Sequence, residues 1–464
     1  MNNNKVKVNK TLKYLGVVLD HRLSWKQHIE YVTNRTGLII QSFAQVAKRD
    51  WGLSTGAMSI IYDSIYLPII SYASNTWSRA AERVHIKRKL ISSQRRALML
   101  ITKAYRTASN TSLQVIARKP PLDLYIKQKS KIQQAKKGES IQVDTLSIQH
   151  NDVEWPYSFR ETNNYIISLE HDNFDTHNQD MDIYTDGSRH DGKVGSSFVV
   201  FINKMEVHSQ AIRLHERCTI FQAELYAIKK AIAWTMQTQN NIAINIYTDS
   251  RSAYNIIYSN ILHPLAEDIR NSIRLATCNI KIYWIKAHQG VYGNERADTL
   301  AKYAADNTIL PIEYDKLSVN TLKRLIWEET IQLWQQEWNQ NSSHITYKFI
   351  PDLKYFYSIK YFLPNHITTQ IFTGHGKYAS YLTRFTTRND DNCPTCRITD
   401  GPEHYFYDCI MFCKERLELQ LILEEYGIQW PCKLCDIWVN KNVYNAFIKL
   451  AESIYTITNQ IIYN

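Results

Sequence analysis

Two short apolar runs in the middle of the chain each end in an acidic residue. Residues 183–188 read IYTDGS and carry Asp186, while residues 242–250 read IAINIYTDS and carry Asp249. Short apolar runs bounded by turn-forming residues are typical of buried strands. The pattern predicts two strands of one sheet, the first delivering Asp186 into a turn built from Gly and Ser, and the second ending at Asp249.

The stretch between these strands has the periodicity of an amphipathic helix. Over residues 219–238 apolar residues recur at steps of three and four and define one face, at Phe221, Leu225, Ile228 and Ile232. Glu224 lies on that face. A carboxylate facing a sheet is costly without a compensating cation, so an ordinary surface role for Glu224 is disfavoured. We expect the three acids to converge in the crevice at the strand ends, the usual place for a site in an α/β layer.

A further apolar strand, residues 280–285, leads into a loop with two glycines and His288, and then into a helix that carries Asp298. Asn294 is predicted to be the N-cap of this helix. Converging carboxylates repel one another and need a cation, and a set of oxygen ligands favours Mg²⁺ or Mn²⁺ over zinc. A histidine that stands alone is more often structural or solvated, but four nearby acids favour a functional role for His288.

Together these motifs resemble the catalytic signature of type 1 ribonuclease H. The resemblance covers residues 179–308 and rests on four motifs in the family's order, namely DGS at 186–188, AEL at 223–225, TDS at 248–250 and the segment from His288 to Asp298. It implies an α/β ribonuclease H-like fold, with a mixed five-stranded sheet and helices packed on it.

The resemblance also implies a chemistry. Asp186, Glu224, Asp249 and Asp298 are expected to bind two Mg²⁺ ions, or Mn²⁺, and His288 to assist proton transfer or product departure. The expected substrate is the RNA strand of an RNA–DNA hybrid, cut to leave 5′-phosphate and 3′-hydroxyl ends. The expected nucleic-acid contacts near the acids are Gly187, Ser188 and Ser250, where recognition of the ribose 2′-hydroxyl would separate RNA from DNA.

Length and composition limit the remaining possibilities. A chain of 464 residues is long enough for two to four domains, and a hydrophobic content of 44% excludes a wholly disordered protein. The longest apolar region, residues 60–73, is interrupted by Asp63 and Pro68 and is too short to span a membrane. The polar start is not a signal peptide. We therefore expect an intracellular protein, cytoplasmic or nuclear and not secreted, with no membrane partner and no small-molecule cofactor.

The positive charge is concentrated at the N-terminal end. The net charge of +11 divides into +16 for residues 1–130, −4 for 131–178, +1 for 179–308 and −2 for 309–464. This basic block would supply sequence-independent attraction to phosphate. Residues 83–103 predict a helix with Val84, Leu90, Ile91, Leu98 and Ile101 facing inward. The helix is expected to place its cations largely outward, at Lys87, Arg88, Lys89, Arg95 and Arg96. They are interpreted either as a solvated face or as nucleic-acid contacts, and the expected contacts are Lys87, Arg88, Arg95 and Arg96.

Residues 13–123 resemble the end of the reverse transcriptase of LINE-like retrotransposons, where the last palm strands pass into a helical thumb. Residues 1–130 are accordingly assigned to a thumb-like basic helical region. The sequence has no aromatic-x-Asp-Asp box, and its one Asp pair, Asp390 and Asp391, lies in a polar stretch. Since a polymerase needs paired acids to hold its metals, we expect that this chain does not synthesise DNA. We interpret it as a truncated retroelement product that begins after the polymerase active site. Residues 131–178 are predicted to be a linker with one ordered patch near Trp155.

The C-terminal region, residues 309–464, is predicted to be helical with a metal-binding module. Tryptophans at helical spacing in residues 322–338 are interpreted as core residues, with base stacking as the alternative. Six of the eight cysteines fall between residues 393 and 435, and Cys393, Cys396, His404 and Cys409 have a CxxC-x7-H-x4-C spacing that suits a tetrahedral zinc site. The arrangement resembles the C-terminal zinc-knuckle-like module of LINE-type polyproteins. Reduced core thiols, or a four-thiolate site using Cys413, Cys432 and Cys435, are the alternatives.

Three functions remain open from the sequence. The first is an active hybrid-specific ribonuclease, which the complete set of motifs favours. The second is a polynucleotide transferase of the same broad architecture, which would not need the segment from His288 to Asp298. The third is a catalytically silent nucleic-acid-binding remnant. The expected partners are RNA–DNA hybrids and other nucleic acids in the first and third cases.

Overall fold

The computed structural model describes residues 9–48, 52–157, 181–238, 243–385 and 390–463. The chain divides into two compact units, one formed by Met1–Gln133 with Ile326–Asn464 and the other by Gln134–Leu325. Within the described residues, none of the helices is both long enough and apolar enough to cross a membrane. The boundaries of the four predicted segments remain predictions.

The first unit begins with a hairpin followed by helices. Asp20, at the end of the hairpin, accepts hydrogen bonds from the backbone N–H groups of Arg22, Ser24 and Trp25, which fixes the turn into the first helix. The elements are β1 (Thr11–Tyr14), β2 (Val17–Asp20), α1 (Lys26–Val46), α2 (Thr55–Ile61), α3 (Leu67–Ile70), α4 (Ser74–Trp77), α5 (Val84–Thr102), α6 (Asn110–Ala117) and α7 (Leu122–Lys136).

Helix α5 buries most of the face that its periodicity predicts. Leu90, Leu98 and Ile101 are almost fully buried. Val84 is 64% exposed. The expectation of an inward Val84 is therefore wrong, since this residue is the first of the helix and the described residues leave most of its side chain exposed.

The second unit begins within the predicted linker. The residues described there form a hairpin of β3 (Ile141–Val143) and β4 (Leu146–Ile148), followed by β5 (Val153–Glu154). Residues 158–178 of the predicted linker lie outside the described residues.

A mixed sheet forms the centre of the second unit. Its strands are β6 (Met181–His190), β7 (Lys193–Ile202), β8 (Met205–Leu214), β9 (Ala243–Thr248), β10 (Asn279–Trp284) and β11 (Ile312–Tyr314), in the order β10-β9-β6-β7-β8-β11. Strands β6, β7 and β8 are antiparallel, whereas β9 and β10 continue in parallel from β6. The mixed sheet agrees with the prediction, but the strand number does not. The sixth strand, β11, comes from beyond residue 308 and pairs in parallel with the edge strand β8.

Helices cover both faces of this sheet. They are α8 (Ile220–Thr238), α9 (Arg251–Ile257), α10 (Pro264–Leu275) and α11 (Tyr292–Asp306). Leu225, Ile228 and Ile232 of α8 are fully buried in the core, as their periodicity predicts. Helix α11 packs on the other face, where Ala297 contacts the cluster that contains Val199. A short strand β12 (Leu317–Ser318) then pairs in parallel with β5.

The rest of the first unit is helical. It consists of α12 (Val319–Asn339), which starts in the second unit, and α13 (Ile345–Phe349), α14 (Leu353–Ser358), α15 (His366–Thr373), α16 (Ala379–Phe385), α17 (Pro402–Tyr407), α18 (Cys413–Glu425) and α19 (Lys441–Tyr463). Trp334 and Trp338 of α12 are only 2% and 1% exposed. They are core residues and offer no surface for base stacking.

Candidate active site

Strand register brings Asp186 and Asp249 together. The parallel pairing of β6 with β9 stops at Thr185 and Thr248, and in both segments the next residue along the chain is the acid. The prediction that the strand ends at Asp186 is wrong, because β6 continues to His190 in its pairing with β7. The hairpin turn lies at Asp191 and Gly192, whose φ values of 45° and 82° suit a tight two-residue turn.

Glu224 reaches the same place from the start of α8. The Thr219 hydroxyl accepts a hydrogen bond from the backbone N–H of Gln222, and the Gln222 side-chain oxygen accepts one from the N–H of Thr219, so the helix start is capped. Gly187 lets the helix lie directly on β6, since a Cβ at this position would be 2.5 Å from the backbone nitrogen of Glu224. The structure thus gives Gly187 a packing role, and its contact with nucleic acid stays a prediction.

The three acids form a compact cluster. One ligand oxygen from each of Asp186, Glu224 and Asp249 lies within 4.8 Å of the others. Asp186 and Glu224 are each 6% exposed, and Asp249 is half-buried. Asp186 Oδ2 and Glu224 Oε2 are buried and have no hydrogen-bond partner among the described residues. Buried carboxylate oxygens without partners fit a divalent cation, and an all-oxygen ligand set fits Mg²⁺ or Mn²⁺.

The electrostatics of the cluster agree with this fit. Burial and the negative charges of Asp249 and Asp298 raise the pKa of Asp186 to about 7. Burial, with the charges of Asp186 and Asp249, also holds the pKa of Glu224 well above its usual value. A cation bound among the carboxylates would offset this mutual repulsion.

Asp298 lies beside the cluster but outside the group of three. It is on α11, its side chain is 30% exposed, and its Oδ2 lies 2.7 Å from Lys302 Nζ. Its charge contributes to the raised pKa of Asp186. The structure therefore brings together three of the four predicted ligands, and the role of Asp298 as a ligand stays a prediction.

The loop after β10 contains one predicted residue and leads to another whose role at the site the sequence did not predict. His288 is exposed and has a left-handed backbone, with φ of 56°. The predicted N-cap role of Asn294 is wrong, because α11 starts at Tyr292. Asn294 is instead 5% exposed and donates a hydrogen bond from Nδ2 to Asp249 Oδ2 at 3.0 Å. The hydrogen bond between Asn294 on α11 and Asp249 joins distant segments, so only the folded structure reveals it.

The cysteine-rich region forms a second candidate metal site. Cys393, Cys396, His404 and Cys409 each place one ligand atom within 4.8 Å of the others. Cys409 Sγ lies 3.9 Å from Cys393 Sγ and 3.8 Å from Cys396 Sγ. Thiolates bound to one tetrahedral zinc at about 2.3 Å would be separated by about 3.8 Å. Both ring nitrogens of His404 are buried without a partner among the described residues, so the donor set fits zinc.

The alternative four-thiolate site does not have this geometry. Among the described residues, Cys413, Cys432 and Cys435 belong to no group of three or more side chains that could hold a metal ion. Cys413 is exposed, and its sulfur accepts a hydrogen bond from Arg416 at 3.3 Å.

The predicted basic contacts on α5 divide into two kinds. Lys87 lies 2.9 Å from Asp123 Oδ2 and 2.8 Å from Glu337 Oε1, and Arg95 donates a 2.7 Å hydrogen bond to Asn110 Oδ1. These two side chains have partners within the first unit. Arg88 and Arg96 are exposed, and their contact with nucleic acid stays a prediction.

The two remaining predicted contacts lie near the acids. Ser250 caps α9, its hydroxyl accepting a hydrogen bond from the N–H of Ala253 at 3.4 Å, and Ser188 is half-buried on β6. The predicted contacts of Ser188 and Ser250 with nucleic acid stay predictions.

Comparison with known proteins agrees with this geometry. The RNase H family model matches residues 178–306. A 115 kDa protein of the type-1 retrotransposable element R1DM of Drosophila melanogaster is 33% identical over 118 residues, which is 25% of this chain and 12% of that protein. A Pol polyprotein from the R1 4 element of Nasonia vitripennis is 25% identical over 164 residues, 35% of this chain and 40% of the relative. The chain thus spans less than half the length of these curated relatives. Residues 178–306 are an RNase H domain in a protein related to the polyproteins of R1-type, LINE-like retrotransposons.

Proposed function

We propose that this protein is a metal-dependent endonuclease that hydrolyses the RNA strand of RNA–DNA hybrids. The observation that carries the proposal is the cluster of Asp186, Glu224 and Asp249, with ligand atoms within 4.8 Å of one another inside a domain that matches the RNase H family. In this proposal residues 179–308 are the nuclease module. The N-terminal block with its charge of +16 adds attraction to the nucleic-acid backbone.

The cluster would hold two divalent ions, with Asp298 as the fourth ligand. When bound, the ions supply activation of a water molecule and stabilisation of the leaving 3′-oxygen in an in-line displacement at phosphorus. Asn294 holds the Asp249 carboxylate at 3.0 Å and limits its rotation. The buried hydroxyls of Ser196 and Ser197 donate to backbone oxygens of α8 and α11 at 2.8 and 2.6 Å, and so fix both helices to β7.

The remaining predicted groups come from the exposed loop after β10 and from other elements. His288 would move a proton during bond cleavage or assist the departure of the product. The hydroxyls of Ser188 and Ser250 and the backbone near Gly187 would meet the ribose, where the 2′-hydroxyl identifies RNA. Exposed cations such as Arg88 and Arg96 would contact phosphate without reading sequence.

The direct test uses the full chain and a labelled 20-base-pair substrate, about two helical turns, as RNA–DNA hybrid, RNA duplex and DNA duplex. We expect Mg²⁺-dependent cleavage of the RNA strand of the hybrid alone, its loss in a chelator, and its loss in Asp249→Asn. Cleavage that survives the chelator or Asp249→Asn would contradict the proposal. Binding of the hybrid without cleavage in Mg²⁺ and in Mn²⁺ would leave the nucleic-acid-binding function in its place.

Asn294→Ala should lower kcat for the hybrid by about tenfold, the lower end of the effect of removing a side chain that orients a metal ligand. Without Asn294 Nδ2, the Asp249 carboxylate can rotate away from the shared centre, so half-saturation by Mg²⁺ should also rise. The measurement is the initial cleavage rate over a Mg²⁺ series. Asn307→Ala, at the far end of α11, is the matched control. Unchanged kcat and Mg²⁺ dependence in Asn294→Ala would show that Asp249 is held without this contact.

A further inference from the structure

Lys302 lies where it can compete with a metal ion for Asp298. The two residues are one turn apart on α11, and Lys302 Nζ is 2.7 Å from Asp298 Oδ2. Pairs at this spacing are common on helix surfaces and contribute only about 0.3–0.5 kcal/mol. This pair differs from others of its kind because Asp298 lies beside the cluster of three acids.

The ammonium of Lys302 acts on the cluster as well as on its partner. Its positive charge opposes the rise in the pKa of Asp186, and the charge of Asp186 contributes to the raised pKa of Lys302. The Lys302 side chain is 53% exposed, so it can leave without a large desolvation change. An exposed cation therefore lies close enough to influence a cluster in which Asp186 Oδ2 and Glu224 Oε2 have no hydrogen-bond partner among the described residues.

We propose that Lys302 is an internal counter-ion for Asp298. Lys302 must release the Asp298 carboxylate before that carboxylate can bind the second ion, and this competition sets the affinity of the site for the second ion. The proposal rests on the proposed function. The first ion would be held by the group of three acids, whereas Lys302 forms its ion pair with Asp298, outside that group. Because the ion pair is exposed, Lys302 lowers the affinity for the second ion without preventing its binding.

The proposal predicts a selective change in ion affinity. In Lys302→Gln the second ion should bind about three- to tenfold more tightly, the change expected for removing one partly screened charge and its competition for a ligand. The first ion should change by less than about twofold in the same variant. The lower Mg²⁺ requirement should also appear in the cleavage assay.

The experiment is isothermal titration of Mn²⁺ and Mg²⁺ into the full chain without nucleic acid. Lys302→Arg keeps the charge and should behave as the wild type. Arg296→Gln is the matched control, because Arg296 is on the same helix but pairs with Glu206 Oε2 at 3.1 Å. In an Asp298→Asn background, Lys302→Gln should have no further effect, which separates competition for Asp298 from a general change in charge.

Two outcomes overturn the inference while leaving the proposed function intact. One is a wild type that binds ions and cleaves the hybrid while Lys302→Gln has the same second-ion affinity. The other is weaker binding of the second ion in Lys302→Gln, which would mean that Lys302 aligns Asp298 for the ion. A wild type that neither binds ions nor cleaves the hybrid would instead remove the proposed function itself, and this inference with it.

Discussion

Asp186→Asn should abolish cleavage of the hybrid and, in the absence of divalent ions, make the chain more stable at pH 8. Removing a central acid from the cluster should lower cleavage by about 10³-fold or more, as expected when electrostatic stabilisation at the reacting phosphate is lost. The gain in stability follows from the same carboxylate. Burial and neighbouring acids raise its pKa to about 7, so its ionisation in the folded chain is costly.

The pH dependence has a definite sign. With a folded pKa near 7 and an unfolded pKa near 4, the folded chain binds the proton more tightly than the unfolded chain between those values. The free energy of unfolding therefore falls as pH rises through that window, by roughly 1–4 kcal/mol from this group. Asparagine does not titrate, so Asp186→Asn should be less sensitive to pH and more stable at pH 8.

Denaturant unfolding in a chelator at pH 5 and pH 8 measures this effect. Asp182→Asn is the control, because Asp182 is on the same strand, accepts a hydrogen bond from Asn245 and is outside the cluster. Addition of Mg²⁺ should reverse the order, since the wild type gains stability from the ions and the variant loses a ligand. A variant that cleaves normally, or that is less stable than the wild type at pH 8 in the chelator, would contradict this account of the cluster.

The sequence was sufficient to predict that Asp186, Glu224 and Asp249 lie together, because each of these three breaks a local pattern. Glu224 interrupts an apolar helical face, which signals a buried carboxylate, and it is 6% exposed in the structure. Asp186 and Asp249 follow similar apolar runs, which become neighbouring parallel strands in equivalent register. In both cases a local periodicity of two or 3.6 residues contains the necessary information.

What the sequence did not predict depends on contacts between distant segments. Strand β6 continues through Gly187 to His190 because β7 pairs with it, although these residues have no apolar alternation. Lys87 pairs with Glu337, which is 250 positions away. Its charge is therefore used inside the first unit, although the sequence suggested a contact between this helix and phosphate. Asn294 is a good N-cap by residue type, but the backbone starts the helix earlier and leaves its amide for Asp249. Propensity and periodicity contain no information on such pairings.

Cys409→Ser should remove one zinc ion per chain and destabilise the first unit by about 3–5 kcal/mol, because the free energy of zinc binding contributes directly to the stability of the folded chain. Cys409 Sγ lies within 3.9 Å of the two other thiols, so it is central to the ligand set. Burial and the neighbouring thiols raise the pKa of Cys409, so the thiolate form requires the metal.

Metal analysis of the purified chain and thermal unfolding with and without a zinc chelator test this prediction. The wild type should contain one zinc and lose thermal stability in the chelator, whereas Cys409→Ser should contain none and be insensitive to it. Cys413→Ser is the matched control, since Cys413 is exposed, lies four residues away and is outside the group of ligands. A wild type that contains no zinc and unfolds at the same temperature as Cys409→Ser would identify the cluster as reduced thiols packed in a core.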